Sequence, residues 1–359
     1  MNETVTNRQM AFLLFGIMFG YGGLALPKIL AEYTATGGWV SILIGALIAL
    51  GLTINLVYLG LIHKNKTFYD YSKVLTGKYV STVLVFFYIV FMFIMGSMIN
   101  RLSAEIIKQT ILLNTPTWVI IWAFLLVAYY AVVKDINTIA RLGEIYGVII
   151  ILAGIVVGLA EFMQGDLINL KPYFIWEDVP NYFNGSLKIR LAFSGMAILA
   201  VIPFGKKQNN KTLTYISITI FLIAFMYIIT YESAIAVMGI DSIVKYNDAV
   251  FTAVRRIEIP MLQFLRRLDG ILIISFILSV FMNITLYAYG AIFLLSKLFS
   301  KSSMKIIAIS VLVLSYFVCQ LPKSVEATQN ILELTSLYGV IILGSINIMI
   351  LILSKVKKC

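Results

Sequence analysis

Few side chains of this 359-residue chain are placed to do chemistry, and those that are lie in or beside apolar stretches. Asn283 and Tyr287 stand four residues apart, which puts an amide and a phenol on one helix face. Polar groups midway along a hydrophobic helix need partners, so this pair suits either an interhelical hydrogen bond or the wall of a ligand pocket. Arg101 and Glu105, one turn apart near the end of another apolar run, suit an ion pair at the membrane surface, a gate or a partner contact. Arg267 and Asp269 in "RRLDG" suit a gate or a partner contact as well. No P-loop, His–Glu zinc motif or Gly-x-Ser-x-Gly elbow is present, so no enzymatic site is expected. The single histidine, His63, falls in a basic loop and reads as solvated. Cys319 in an apolar run and Cys359 at the end imply neither a disulfide framework nor a metal site, and no cofactor is expected.

The backbone offers more. Residues 19–30, "FGYGGLALPKIL", place Gly20, Gly22, Gly23 and Pro27 in a segment otherwise apolar enough to be a helix. Gly weakens a helix interior by about 1 kcal/mol relative to Ala, and Pro by about 3. Unwound backbone survives at membrane depth only where it lines a cavity or is buried in protein. Freed N–H groups at the start of a half-helix suit a carboxylate, and freed carbonyls suit an ammonium. A second such place is "LAFSGMAILAVIPFGKK", with Ser194, Gly195 and Pro203. Two facing breaks would hold a small zwitterion without a charged side chain.

The elements that must position these groups follow from hydropathy. The chain is 60% hydrophobic and only 13% charged, with a mean hydropathy of +0.95, which excludes an ordinary soluble domain. Apolar runs predict ten spans, at 10–30, 39–62, 80–112, 117–133, 141–162, 187–205, 213–238, 269–297, 304–321 and 331–353. The polar opening "MNETVTNRQM" lacks a basic cluster, so the first span is expected to be retained. With the N-terminus inside, the inner segments hold 16 basic and 4 acidic residues against 12 and 13 outside, which favours cytoplasmic N- and C-termini. The net charge of +11 is scattered over these segments, suiting anionic lipid and not nucleic acid. Ten spans divide into repeat 1 (about 10–162), an outer loop (163–186) and repeat 2 (about 187–353) of one transmembrane domain covering 1–359. Five spans per half is the topology of an inverted repeat, and broken helices one and six point to a transporter-type site.

The combination of "FGYGGLALP", "FSGMAILAVIPFGKK", "NRLSAEIIK" and "RRLDG" resembles the B subunits of spore germination receptors (the GerAB and GerKB type). These belong to the amino acid–polyamine–organocation transporter superfamily. The likeness extends over the whole chain. It implies an all-α, LeuT-like fold of ten transmembrane helices with helices 1 and 6 broken, residence in the spore inner membrane, and association with an A subunit and a lipoprotein C subunit. It also implies a small-molecule germinant, an amino acid or similar nutrient, bound between helices 1, 3, 6 and 8. Carried onto this sequence, the pocket residues are Gly20, Gly22 and Gly23; Phe91 and Met95; Phe193, Ser194, Gly195 and Met196; and Met282, Asn283 and Tyr287. The competing readings are a working amino acid transporter of the same fold and a ligand-gated channel component. No charged residue falls in the middle third of any span, and Ser275 and Ser279 offer hydroxyls to sodium. This pattern suits a sensor at least as well as a proton-driven pump.

Overall fold

The computed structural model describes residues 5–205, 208–246, 248–256 and 268–357. The first span is two helices, α1 (Asn7–Met18) and α2 (Tyr21–Thr34). Thr6 and Gln9 start α1 with a reciprocal capping box, which satisfies two donors a helix end leaves orphaned. After α3 (Gly38–Ile62) a short helix not expected from hydropathy, α4 (Phe68–Thr76), is capped in the same way by Thr67 and Asp70. Gly77, at φ +83°, then turns the chain into α5 (Lys78–Thr110), a conformation a side chain would strain. The helices α6 (Thr117–Lys134) and α7 (Ile136–Gln164) complete the first half.

The expected outer loop carries α8 (Val179–Lys188), so the sixth span is entered earlier than hydropathy suggests. It continues as one α-turn, α9 (Arg190–Phe193), and then a 3-10 helix over Ser194–Ala200. The second half proceeds through α10 (Lys211–Met238), two short loop helices, α11 (Ile240–Ile243) and α12 (Ala249–Arg255), and then α13 (Leu268–Leu298), α14 (Met304–Gln320) and α15 (Val325–Val356). Each of the ten expected segments is therefore helical. Seven runs among the described residues are long and apolar enough to cross a bilayer, one of them combining α2 and α3 (Gly22–Ile62). The first span (in two pieces), the sixth and the 17-residue α14 are shorter.

Helix α13 is central, packing on α1, α5, α6, α7 and α14, while α10 bridges α1, α3 and α7. Hydroxyls inside helices are satisfied locally, as where Thr53 donates to the Ala49 carbonyl at 2.6 Å. Residues expected on the inner side meet at one end. Arg8 pairs with Glu144 at 2.6 Å, Lys297 with Asp70 at 3.6 Å, and Lys357 donates to the Leu75 carbonyl at 2.7 Å. His63 joins this end, and the expectation of a solvated ring is corrected: only 7% exposed, it lies 3.0 Å from the Ser354 hydroxyl and stacks on Tyr71. The unforeseen α4 supplies that cover. At the opposite end Trp39 donates to the Tyr173 carbonyl, Ser41 to that of Tyr182 and Arg255 to that of Thr110.

Candidate functional site

The break in the first span is confined to Phe19 and Gly20, between α1 and α2. Gly22 and Gly23, expected to be unwound, lie inside α2, and Gly22 lets its start pack closely. Gly20 is forced to be glycine by contact, because a Cβ there would overlap the Asn283 amide. The last carbonyls of α1 have no intrahelical donors and in hydrocarbon must find others. Asn283 Nδ2 donates to the Ile17 carbonyl at 2.7 Å, and the Tyr227 hydroxyl, from α10, lies 2.7 Å from that of Met18. Acceptors expected to suit a ligand's ammonium are thus held by the protein's own side chains.

The sixth span changes helix type at Ser194. Ser194 Oγ bonds back to the Leu191 carbonyl at 2.8 Å and lies 3.1 Å from the Tyr287 hydroxyl. The Tyr227 hydroxyl also lies 3.2 Å from the Ala192 carbonyl, so one phenol reaches the ends of both interrupted segments. The two discontinuities meet through glycine. A Cβ on Gly22 would fall 2.9 Å from Ala192 Cα, and one on Gly195 would fall 2.7 Å from Ile17 Cγ2. Each half presents a bare backbone to the other.

Beside Ser194 lies a small cavity of about 20 Å³. Its wall includes Ser194, Met196 and Ala197, Phe91 and Tyr88 of α5, Asn55 of α3, and Gly339 and Asn347 of α15. Tyr88 donates to Asn347 Oδ1 at 2.6 Å, whereas the buried Oδ1 of Asn55 has no hydrogen-bond partner. One water needs roughly 10–15 Å³. In this closed arrangement the cavity holds about one water and must widen to admit an amino acid.

The expected site residues divide accordingly. Phe91, Ser194 and Met196 line this cavity, and Tyr287 meets it through Ser194 and a ring contact with Phe91 at 6.3 Å. Asn283 serves the break, and Gly22 and Gly195 serve the crossing of the segments. Gly20 and Gly23 line a separate cavity. Phe193 faces Tyr227 and Gly45, and Met282 packs against Gly16 and Gly143, so neither reaches the Ser194 cavity. Met95 is fully buried but is not among that cavity's lining. Arg101 and Glu105 form a partly buried ion pair at 2.9 Å, with Thr117 donating to Glu105. Asp269 caps its own helix start through the Gly270 N–H, and Arg267 lies outside the described residues. The walls from α3 and α15 were missed, although Asn55 and Asn347, amides in apolar runs, were the available signal.

Comparison with known proteins supports the fold and gives the family. The structure of MhsT in complex with L-phenylalanine matches with a TM-score of 0.77 over 99% of this chain and 90% of that chain, at 12% identity. That likeness shows the expected LeuT-like fold. Spore germination protein YndE of Bacillus subtilis (strain 168) is 24% identical over 99% of this chain and 97% of its own length. Spore germination protein A2 of the same organism is 26% identical over 82% of this chain and 81% of its own, and spore germination protein KB is 23% identical over 83% and 80%. With its long apolar helices the protein is a multi-pass membrane protein of permease type. The family model described as "Spore germination protein" matches residues 4–328, and the chain belongs to that spore permease family.

Proposed function

We propose that this protein is the nutrient-sensing, permease-like subunit of a germinant receptor and binds a small germinant, an amino acid or similar nutrient, beside the interrupted sixth span. The observation that carries the reading is the cavity at Ser194, where helix type changes and the Asn55 carbonyl oxygen lacks a partner. An unpaired buried acceptor is costly, and a ligand's ammonium or amide N–H would satisfy it. Entry widens the cavity by moving the sixth span against α3, α5 and α15. The ligand shifts this two-state equilibrium only by its differential affinity for the wider state. Partner subunits, an A subunit and a lipoprotein C subunit in the spore inner membrane, read that shift. In this reading the ten segments cross as two inverted halves, 10–162 and 187–353, with both termini cytoplasmic. The pairing of Arg8 with Glu144 and of Lys357 with Leu75 at one end supports it.

The test is a thermal-shift screen of the purified full chain against amino acids, nucleosides and simple sugars. Saturable stabilisation by one class is expected, with loss in Asn55→Leu and weakening in Ser194→Ala. Concentrative uptake of that solute into liposomes holding this chain alone overturns the sensor reading in favour of a working transporter.

A further inference from the structure

A second cavity, of about 50 Å³, shares no lining residue with the first. It lies between the start of α2 and helices α7, α10, α12 and α13, with Gly20 and Gly23 in its wall. Its polar side chains are Glu161, Thr230, Ser233, Ser275 and Ser279. Glu161 stands in the last turn of α7 and is 1% exposed. The Ser233 hydroxyl donates to Oε2, and Oε1 has no hydrogen-bond partner.

The protons of the remaining hydroxyls are already committed. Thr230 donates to the Met226 carbonyl at 2.9 Å, Ser275 to that of Leu272 at 2.9 Å, and Ser279 to that of Ser275 at 2.8 Å. A hydroxyl has one proton and two lone pairs, so each offers the cavity only lone pairs. With Glu161 ionised, the side-chain lining is therefore all acceptor, one carboxylate among neutral oxygens. Its guest must bring positive charge or donors of its own. The volume exceeds what one water needs but is far below that of an amino acid. A single buried carboxylate is neutralised by one positive charge, whereas a divalent ion would leave an excess charge in hydrocarbon. Hydroxyl and carboxylate oxygens are hard donors, unsuited to soft metals.

We propose that this cavity binds a small alkali cation, with Glu161 as its anionic ligand and Thr230, Ser233, Ser275 and Ser279 as neutral oxygen ligands. Bound there, the ion ties the start of α2, just beyond the break in the first span, to α7, α10 and α13. The site is independent of the nutrient pocket. The test uses no nutrient, so failure of the germinant reading leaves its result unchanged.

The experiment measures the thermal unfolding midpoint of the detergent-purified full chain in sodium, potassium or N-methyl-D-glucamine chloride at one ionic strength, repeated across pH 6–8. Sodium or potassium is expected to raise the midpoint saturably over the bulky organic cation. Glu161→Gln, which keeps an acceptor for Ser233, should weaken the apparent affinity at least tenfold. The Ser275→Ala/Ser279→Ala pair should weaken it several-fold, and this variant carries the test if Glu161→Gln does not fold. Identical midpoints in the three salts overturn the proposal, as does an undiminished alkali effect in both variants. Stabilisation by acidification alone, with no alkali dependence, overturns it in favour of a proton on Glu161.

Discussion

Gly22→Ala is a direct test of how the two interrupted spans meet. Two opposing effects enter its magnitude. Alanine gains about 1 kcal/mol over glycine in a helix interior, and Gly22 is inside α2. Against this, the added Cβ would sit 2.9 Å from Ala192 Cα and 3.1 Å from the Tyr227 hydroxyl. The first is backbone that cannot swing aside, and the second is held by hydrogen bonds to two carbonyls. Overpacking of this kind costs about 1–3 kcal/mol. The net is a loss of about 0–2 kcal/mol, which alone is a blunt prediction. Gly51→Ala sharpens it, since Gly51 is also inside a helix, α3, but has nothing within 4 Å of its would-be Cβ. The propensity gain is no larger in the first turn of α2 than at mid-helix Gly51, so their difference is the clash, about 1–3 kcal/mol, plus whatever gain the first turn forgoes. The assay is reversible unfolding in mixed micelles titrated with dodecyl sulfate. Gly51→Ala should be as stable as the parent or more so, and Gly22→Ala less stable than Gly51→Ala by that margin. Equal shifts of the two variants would refute the close approach of α2 to the Ala192 backbone.

Tyr227→Phe removes the donor shared by the Met18 and Ala192 carbonyls. A buried acceptor left unsatisfied costs about 1–3 kcal/mol, and amide exchange at residues 17–23 should accelerate about fivefold or more; unchanged exchange there would show that the phenol holds neither end. A third prediction concerns His63, whose imidazole lies below the ordinary histidine value because of burial first and the nearby Lys66 charge second. A base with a lowered folded value takes up its proton less readily folded than unfolded. Stability should therefore be unaffected above the ordinary histidine range, fall as pH drops through that range, and level off below the lowered folded value. His63→Gln should flatten this step in the pH profile of the unfolding midpoint, and an identical step in the variant assigns it to another group.

Much of the fold is legible from the chain because hydrocarbon leaves a long apolar run little choice but helix. The discontinuities could also be located, at "FGYGG" and "FSGM", since glycine clusters in such runs are costly. What composition could not tell was which glycines unwind and which let neighbours approach. Gly20 breaks the span while Gly22, two residues on, is helical and pressed on Ala192, a distinction set by the partner surface. Helix α4 escaped notice because its short amphipathic pattern reads as a polar loop, and with it went the burial of His63. Glu161 reads as a residue near the outer end of its span, since only tertiary packing seats it against Ser233. Around Ser194, Phe91 of α5 was named by the resemblance alone and Tyr88 was not named, while Asn55 and Asn347, far away in the chain, join the wall only through the crossing of α3 and α15.

Tyr227 has a single phenolic proton and two carbonyls in reach, one from each half of the molecule. It therefore satisfies only one of them fully at any moment and works as a toggle with two settings. Lengthening either contact by a fraction of an ångström hands the proton to the other, so the two interrupted segments cannot relax independently. Under the proposed function, a motion begun by a guest on one side of the crossing would be registered on the other without a charged group moving through the bilayer.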